Sequence, residues 1–398
     1  MLTLSTFFVF LQLKQKRGYQ MYRISRLLTL FLLLSFGMLS GMAQTQKISV
    51  GVMLPLNNDD GDGRRMVEYY RGMLLAVEDL KKDKISVDVH AWNVTEDVDA
   101  GSQVMNAGAE NCDVIFGPLY SSQVMALSAF CRMSDIKLVI PFSITSDEVE
   151  SNSRIYQVYQ SNSELEESAI QAFFNRFGNA HPVFVDCADS KSDKGNFTSQ
   201  LRKKLEAKGT KYSLTSIKSA QEDFQKAFSI DNQNVVILNS PSSPLLTKVI
   251  KMLDKVKENV PSMRISLYGY TEWLMYTAYN NNTDNFFKYD TYIPSTFYYN
   301  ASHWKTIQLE RRYKEEFGED MMKSALPRFA LMGYDHAQFF LRGLLKYGKS
   351  FTGSKWQQPS NTVQNPLKFV RTQKGGFRNK TFLLIHYGEG RQIESLSY

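Results

Sequence analysis

At 398 residues the chain is too long for one small core and has the length of two domains. Hydrophobic residues make up 43% and aromatics 13%, a globular composition that excludes a disordered chain. The formal net charge of +7 is misleading: Lys14, Lys16, Arg17, Arg23 and Arg26 lie in the first 43 residues, which hold no acid. Beyond them 42 basic residues face 40 acidic ones, a balance of +2 that gives no reason to expect a nucleic-acid partner.

Residues 21–44, MYRISRLLTLFLLLSFGMLSGMAQ, place two arginines before an apolar run and end it with Gly41-Met42-Ala43. A basic region, an apolar core and a small-x-small site together spell a secretory signal peptide over 1–43, cleaved after Ala43. The apolar core is about 13 residues, against the roughly 20 that a spanning helix needs. Residues 1–20 read as an upstream extension, with Met21 the initiator. No cysteine lies near the cut, so a lipid-anchored form is not expected. The expected location is the periplasm.

The next segments alternate. An apolar strand at 47–54 (KISVGVML) precedes a helix at 64–80 that gathers Met66, Tyr70, Met73, Leu74 and Val77 on one face. A strand at 85–92, a helix at 98–109, a strand at 113–116, a helix at 121–133 and a strand at 137–141 follow. A second series begins after Tyr156, with helices at 163–177, 195–208, 221–228 and 243–258. These alternate with strands at 181–187, 211–217, 234–238 and 264–267. Two long helices, 303–317 and 328–347, and two strands, 367–371 and 381–387, complete the chain. Apolar strands alternating with helices predict an α/β fold of two doubly wound parallel-sheet lobes.

Chemistry-bearing motifs are sparse. Cys112, Cys131 and Cys187 have no metal-like spacing and read either as small buried hydrophobes or, for 112 and 131, as a disulfide. Asn58-Asp59-Asp60-Gly61-Asp62-Gly63 opens like a calcium loop, yet the twelfth position, where a bidentate Glu belongs, is Tyr69. The five histidines have no i,i+4 pair, and no phosphate-cradling or nucleophile-elbow motif occurs. No metal, no cofactor and no enzymatic activity are expected.

The stretches KISVGVMLPL, YYRGMLLAVEDL, DVIFGPLYSSQVMALSAF, IKLVIPFS and LMGYDHAQFFLRGLL, with the order of elements, resemble the type I periplasmic binding proteins. That family includes the branched-chain amino acid receptors of ABC transporters and receptor-family ligand-binding domains. The resemblance implies three crossings between lobes, with lobe 1 at 46–158 plus 290–350 and lobe 2 at 159–289 plus 360–398. A ligand would lie in the cleft between them, at the carboxyl ends of strands. Ser121 and Ser122 start a helix whose first N–H groups make a carboxylate site, or else cap that helix. The resemblance puts Ser143 and Thr145 at the next strand end, although Phe142 and Ile144 replace the family's small or hydroxyl residues there. In lobe 2, Tyr270 would lie over a ligand and Glu272 would pair its amine, unless Glu272 only favours a helix dipole. Residues 189–194 read as a solvated rim, and Gly333-Tyr334-Asp335 with His336 as packing near the hinge. The expected function is an exported receptor for a small amino acid-like or peptide-like solute, serving ABC-type uptake or sensing, with a membrane permease as partner. The alternative is a scaffold that activates a cell-wall synthase and transports no ligand.

Overall fold

The computed structural model describes residues 47–57, 60–106, 108–142, 146–277 and 282–397. The signal segment, Asn58, Asp59 and the predicted site residues Ser143 and Thr145 (with Ile144 between them) lie outside the described residues.

The first sheet has seven strands in the order β11-β12-β5-β4-β3-β1-β2. They are β1 (Lys47–Leu54), β2 (Ser86–Asn93), β3 (Val114–Phe116), β4 (Lys137–Ile140), β5 (Ile155–Gln157), β11 (Phe369–Arg371) and β12 (Phe377–Asn379). All neighbours run parallel except the β11–β12 hairpin. Strand β1, between β3 and β2, is apolar on both faces because both are covered: Ile48, Val50, Val52 and Leu54 enter one core and Met53 the other. Helices α1 (Gly61–Lys82), α7 (Trp304–Phe317) and α8 (Phe329–Tyr347) cover the first face. Helices α2 (Ala100–Asn106) and α3 (Val124–Met133) cover the second.

The second layer system begins with α4 (Asn162–Phe177), held at its start by a Ser161/Glu164 capping box. The strands β6 (His181–Asp186), β7 (Ser213–Ser216), β8 (Asn234–Leu238) and β9 (Ile265–Leu267) form a parallel sheet in the order β7-β6-β8-β9. It is packed by α4, α5 (Lys194–Ala207) and α6 (Ser243–Asn259). An antiparallel trio, β10 (Thr291–Ser295), β13 (Leu383–Gly388) and β14 (Gln392–Ser397), extends this half through a Tyr268–Tyr292 bridge beside β9.

Two strand assignments differ from the expected division. Residues 291–295 were expected with the first lobe, but Tyr292 and Ile293 are buried among Phe177 and Ile385 of the second core. Residues 369–379 were expected with the second lobe, but Phe369 and Phe377 pack on Tyr156 of β5 at centroid distances of 5.3 and 4.7 Å. The chain therefore passes between the two halves at 158–161, 296–303 and 380–382. The first and third passages are tied by Gln160, whose Nε2 donates to the Thr381 carbonyl at 2.7 Å.

Helices α1 and α8 touch backbone to backbone. A Cβ on Gly72 would sit 1.8 Å from the Ala330 carbonyl oxygen, and one on Gly333 would sit 1.9 Å from that of Tyr69. Asp60 caps α1, so residues 60–63 of the calcium-like stretch form a helix start, and Tyr69 is buried in the interior. The three cysteines are free and buried. Among the described residues no helix is long and apolar enough to cross a membrane.

Candidate functional site

A cavity of about 330 Å³ lies where the two halves meet. Its first wall carries Pro141, which follows β4, and Met332 and His336 of α8. Its second carries Glu166 of α4, Lys194 and Phe197 of α5, and Tyr270 and Glu272, which follow β9. Pro141 and the β9 loop both sit at carboxyl ends of parallel strands, where open α/β sheets bind ligands.

The second wall is built around Lys194. Its Nζ lies 2.8 Å from Glu272 Oε1, 3.7 Å from Asp193 Oδ1 and 5.3 Å from the Tyr270 ring centroid. Glu166 faces the same ammonium, and burial raises its carboxyl above the usual range against that attraction. Glu272 and Glu166 against the single Lys194 leave this wall net anionic. Tyr270 is buried edge-on against Phe197 at 5.7 Å and donates its hydroxyl to the Leu238 carbonyl. Thr271 Oγ1 donates to the Pro294 carbonyl at 2.7 Å, which fixes the loop carrying Glu272.

On the first wall, His336 is fully buried and its Nδ1 lies 2.9 Å from the Tyr69 hydroxyl. Among the described residues its Nε2 has no hydrogen-bond partner. Burial pushes the imidazole down to about 3, so the ring is neutral at ordinary pH. The adjacent Asp335 turns the other way and accepts the backbone N–H groups of Val363, Gln364 and Asn365 at 2.7–2.8 Å. Burial outweighs those donors and raises its carboxyl to about 6. Gln364 then binds Arg328 and its carbonyl accepts from Tyr298, so Asp335 fastens α8 to the second passage.

The predicted residues divide. Tyr270 and Glu272 meet in the cavity wall, with Glu272 already paired to Lys194. Ser121 and Ser122 form a 3₁₀ turn before α3, which itself starts at Val124. Neither is among the described residues lining the cavity, although β3 and β4 are parallel neighbours as expected. Phe142 turns its ring onto Tyr69, centroids 5.1 Å apart.

No protein-family model matches the sequence, and no curated protein matches it either. Solved structures do. A Rhodospirillum rubrum protein assigned to branched-chain amino acid ABC transport is 14% identical, with 88% of this chain on 100% of that one and a TM-score of 0.57. A branched-chain amino acid ABC transporter periplasmic ligand-binding protein from Burkholderia xenovorans is 13% identical, 88% on 94%, with a TM-score of 0.51. The C-domain of LpoA (YraM) from Haemophilus influenzae, a regulator of PBP1A, is 13% identical, 87% on 99%, with a TM-score of 0.53.

The chain has the type I periplasmic binding protein fold.

Such identities carry the fold and leave the ligand to this chain's own cavity. In this binding-protein fold the sequence reading missed three wall residues. Lys194 ended a stretch read as a solvated rim, yet its side chain is only 16% exposed and reaches inward. Glu166 sits on the inward face of a helix whose pattern gave no warning. His336 was visible only as the neighbour of a hinge aspartate.

Proposed function

We propose that this is an exported solute-binding protein that closes its two halves on a small polar ligand, amino acid-like or peptide-like, for ABC-type uptake or sensing. The observation that carries the reading is the cavity. Its volume of about 330 Å³ lies at the lower end of the range typical of small-molecule sites. Polar groups approach it from both halves: His336 from one, Lys194, Glu272 and Glu166 from the other. A ligand touching both walls gains its full contact only when they close, which is how binding would shift the population toward the closed form. The solved structures assigned to branched-chain amino acid transport support this reading through the shared fold.

In this reading the segment 1–43 directs export and is removed after Ala43, Glu272 meets a ligand amine, and Ser121, Ser122, Ser143 and Thr145 supply the anion-binding edge. The protein binds and does not catalyse, and its partner is a membrane permease. N-terminal sequencing of protein from its native host tests the export step; an intact segment in the membrane fraction contradicts it.

A second reading is a scaffold that regulates a cell-wall synthase. It is favoured by the Lys194–Glu272 pair, which satisfies both charges without a ligand, and by the fold shared with the LpoA C-domain. Thermal-shift screening of residues 44–398 against amino acids, short peptides and muropeptides separates the two. A receptor gains roughly 2.7 kcal/mol at a ligand concentration 100 times Kd. No shift with any solute favours the scaffold.

A further inference from the structure

We infer that His336, oriented by Tyr69, is a ligand-binding residue of the first wall, whose Nε2–H donates to an oxygen acceptor of the solute. The inference rests on the receptor reading and specifies the chemistry that this wall accepts.

Proton accounting at the Tyr69–His336 pair fixes the tautomer. Tyr69 is fully buried, and its hydroxyl meets His336 Nδ1 at 2.9 Å, the one hydrogen bond it makes among the described residues. If the hydroxyl donates to Nδ1, the ring proton sits on Nε2 and a single donor remains unsatisfied. If Nδ1 donates instead, the hydroxyl proton and the bare Nε2 are both unsatisfied. A buried unpaired polar group is expensive, so the first arrangement prevails. It leaves an Nε2–H donor, sealed from solvent, on a residue that lines the cavity. Tyr69 is not among the lining residues, so the ring edge available to a ligand is the one carrying Nε2.

This polarity selects. A neutral imidazole with its proton on Nε2 offers no lone pair there, so an ammonium or amide N–H gains nothing at this wall. A carbonyl or carboxylate oxygen satisfies the orphan donor. The opposite wall has the reverse preference, because Glu272 and Glu166 outnumber Lys194 among its lining residues. A solute with an oxygen acceptor at one end and an amine at the other fits both.

The test uses residues 44–398 with ¹⁵N-labelled histidine. In the free protein the His336 ring should give the spectrum of the neutral Nε2–H form at pH 7 and keep it at pH 5. Tyr69→Phe, which removes the hydroxyl acting on Nδ1, should mix the two tautomers. A ring protonated on Nδ1 in the wild type, or charged at pH 5, overturns the inference. The twenty standard L-amino acids are then added one at a time, with affinity read by calorimetry. The one that binds should move the Nε2–H signal, and His336→Phe should weaken it roughly five- to 100-fold. His336→Gln, which keeps an N–H near the Nε2 position, should recover part of the loss and guards against misfolding of the Phe variant. Unchanged affinity in His336→Phe with an unmoved Nε2–H signal overturns the inference alone. No binding by any of the twenty, nor by short peptides titrated the same way, overturns the receptor reading together with it.

Discussion

Glu272 and Lys194 hold each other at 2.8 Å at the edge of the cavity, with the Glu272 side chain 40% exposed and Lys194 16%. With the Glu272 carboxylate open to solvent the pair contributes little to stability, about 0–1 kcal/mol, so that carboxylate can be shared with an incoming amine at small cost. Glu272→Gln should therefore weaken an amine-bearing solute by about tenfold or more and spare one without an amine. Equal losses for both would mean that Glu272 acts only through the loop it sits on. Asp335 presents the opposite case, a carboxylate sealed in with three backbone donors. Asp335→Ala strands those donors, one of them on the cavity-lining Asn365, and should cost about 3–5 kcal/mol in denaturant unfolding. At this scale the sequence was partly legible. Tyr270 and Glu272 follow a strand directly, so their position could be read from local order. Lys194 and His336 reach the cavity from helices on different halves, and only tertiary packing decides where those helices point.

Helices α1 and α8 show what a segment's own pattern can and cannot reveal. Both were recognisable from length and apolar spacing, and both carry their glycines in the stretches that resemble the binding-protein family. What no pattern announced is that Gly72 and Gly333 are the contact itself. A Cβ at Gly72 would collide with the backbone of Ala330, which cannot swing aside as a side chain would. Gly72→Ala should cost on the order of 3 kcal/mol, and because α8 carries His336, it should also disturb the Tyr69–His336 hydrogen bond. Gly195→Ala is the control: no atom lies within 4 Å of the added Cβ and the site is helical, so it should be neutral or stabilise by up to about 1 kcal/mol. Parallel unfolding curves for the two variants check the pair. The strands that escaped the sequence reading were β5, β10, β12 and β14. The first three are buried pieces of three to five residues with no alternation to read, and β14 is an exposed edge whose pairing with β13 defines it.

Across the whole molecule, the βα alternation disclosed two parallel sheets but not where the chain changes sides. The exchange of 291–295 and 369–379 between halves follows from aromatic packing, Tyr292 on Phe177 and the Phe369/Phe377 pair on Tyr156, which is invisible to a reading by segments. The first sheet also holds a charge that burial disfavours more than the nearby Asp135 carboxylate favours. Lys137 of β4 is buried against Tyr156 and the carbonyls of Lys349 and Phe351, and burial lowers its ammonium to about 8. Between about 8 and the ordinary 10.5 the unfolded chain binds more protons than the folded one, so this group's contribution makes stability rise with pH across that window. Below pH 8 its penalty is present in full. Lys137→Met should remove the rise and stabilise the protein near neutral pH by on the order of 2 kcal/mol; equal pH slopes in variant and wild type would contradict the assignment. Ligand closure joins these scales, because the walls bearing His336 and Glu272 belong to different halves. Calorimetric titration of residues 44–398 with each standard L-amino acid and with short peptides is the direct measurement. The account predicts saturable binding of at least one of them at a single site per chain, with a negative heat-capacity change as the cavity closes. The absence of saturable heat from every one of these solutes would contradict it.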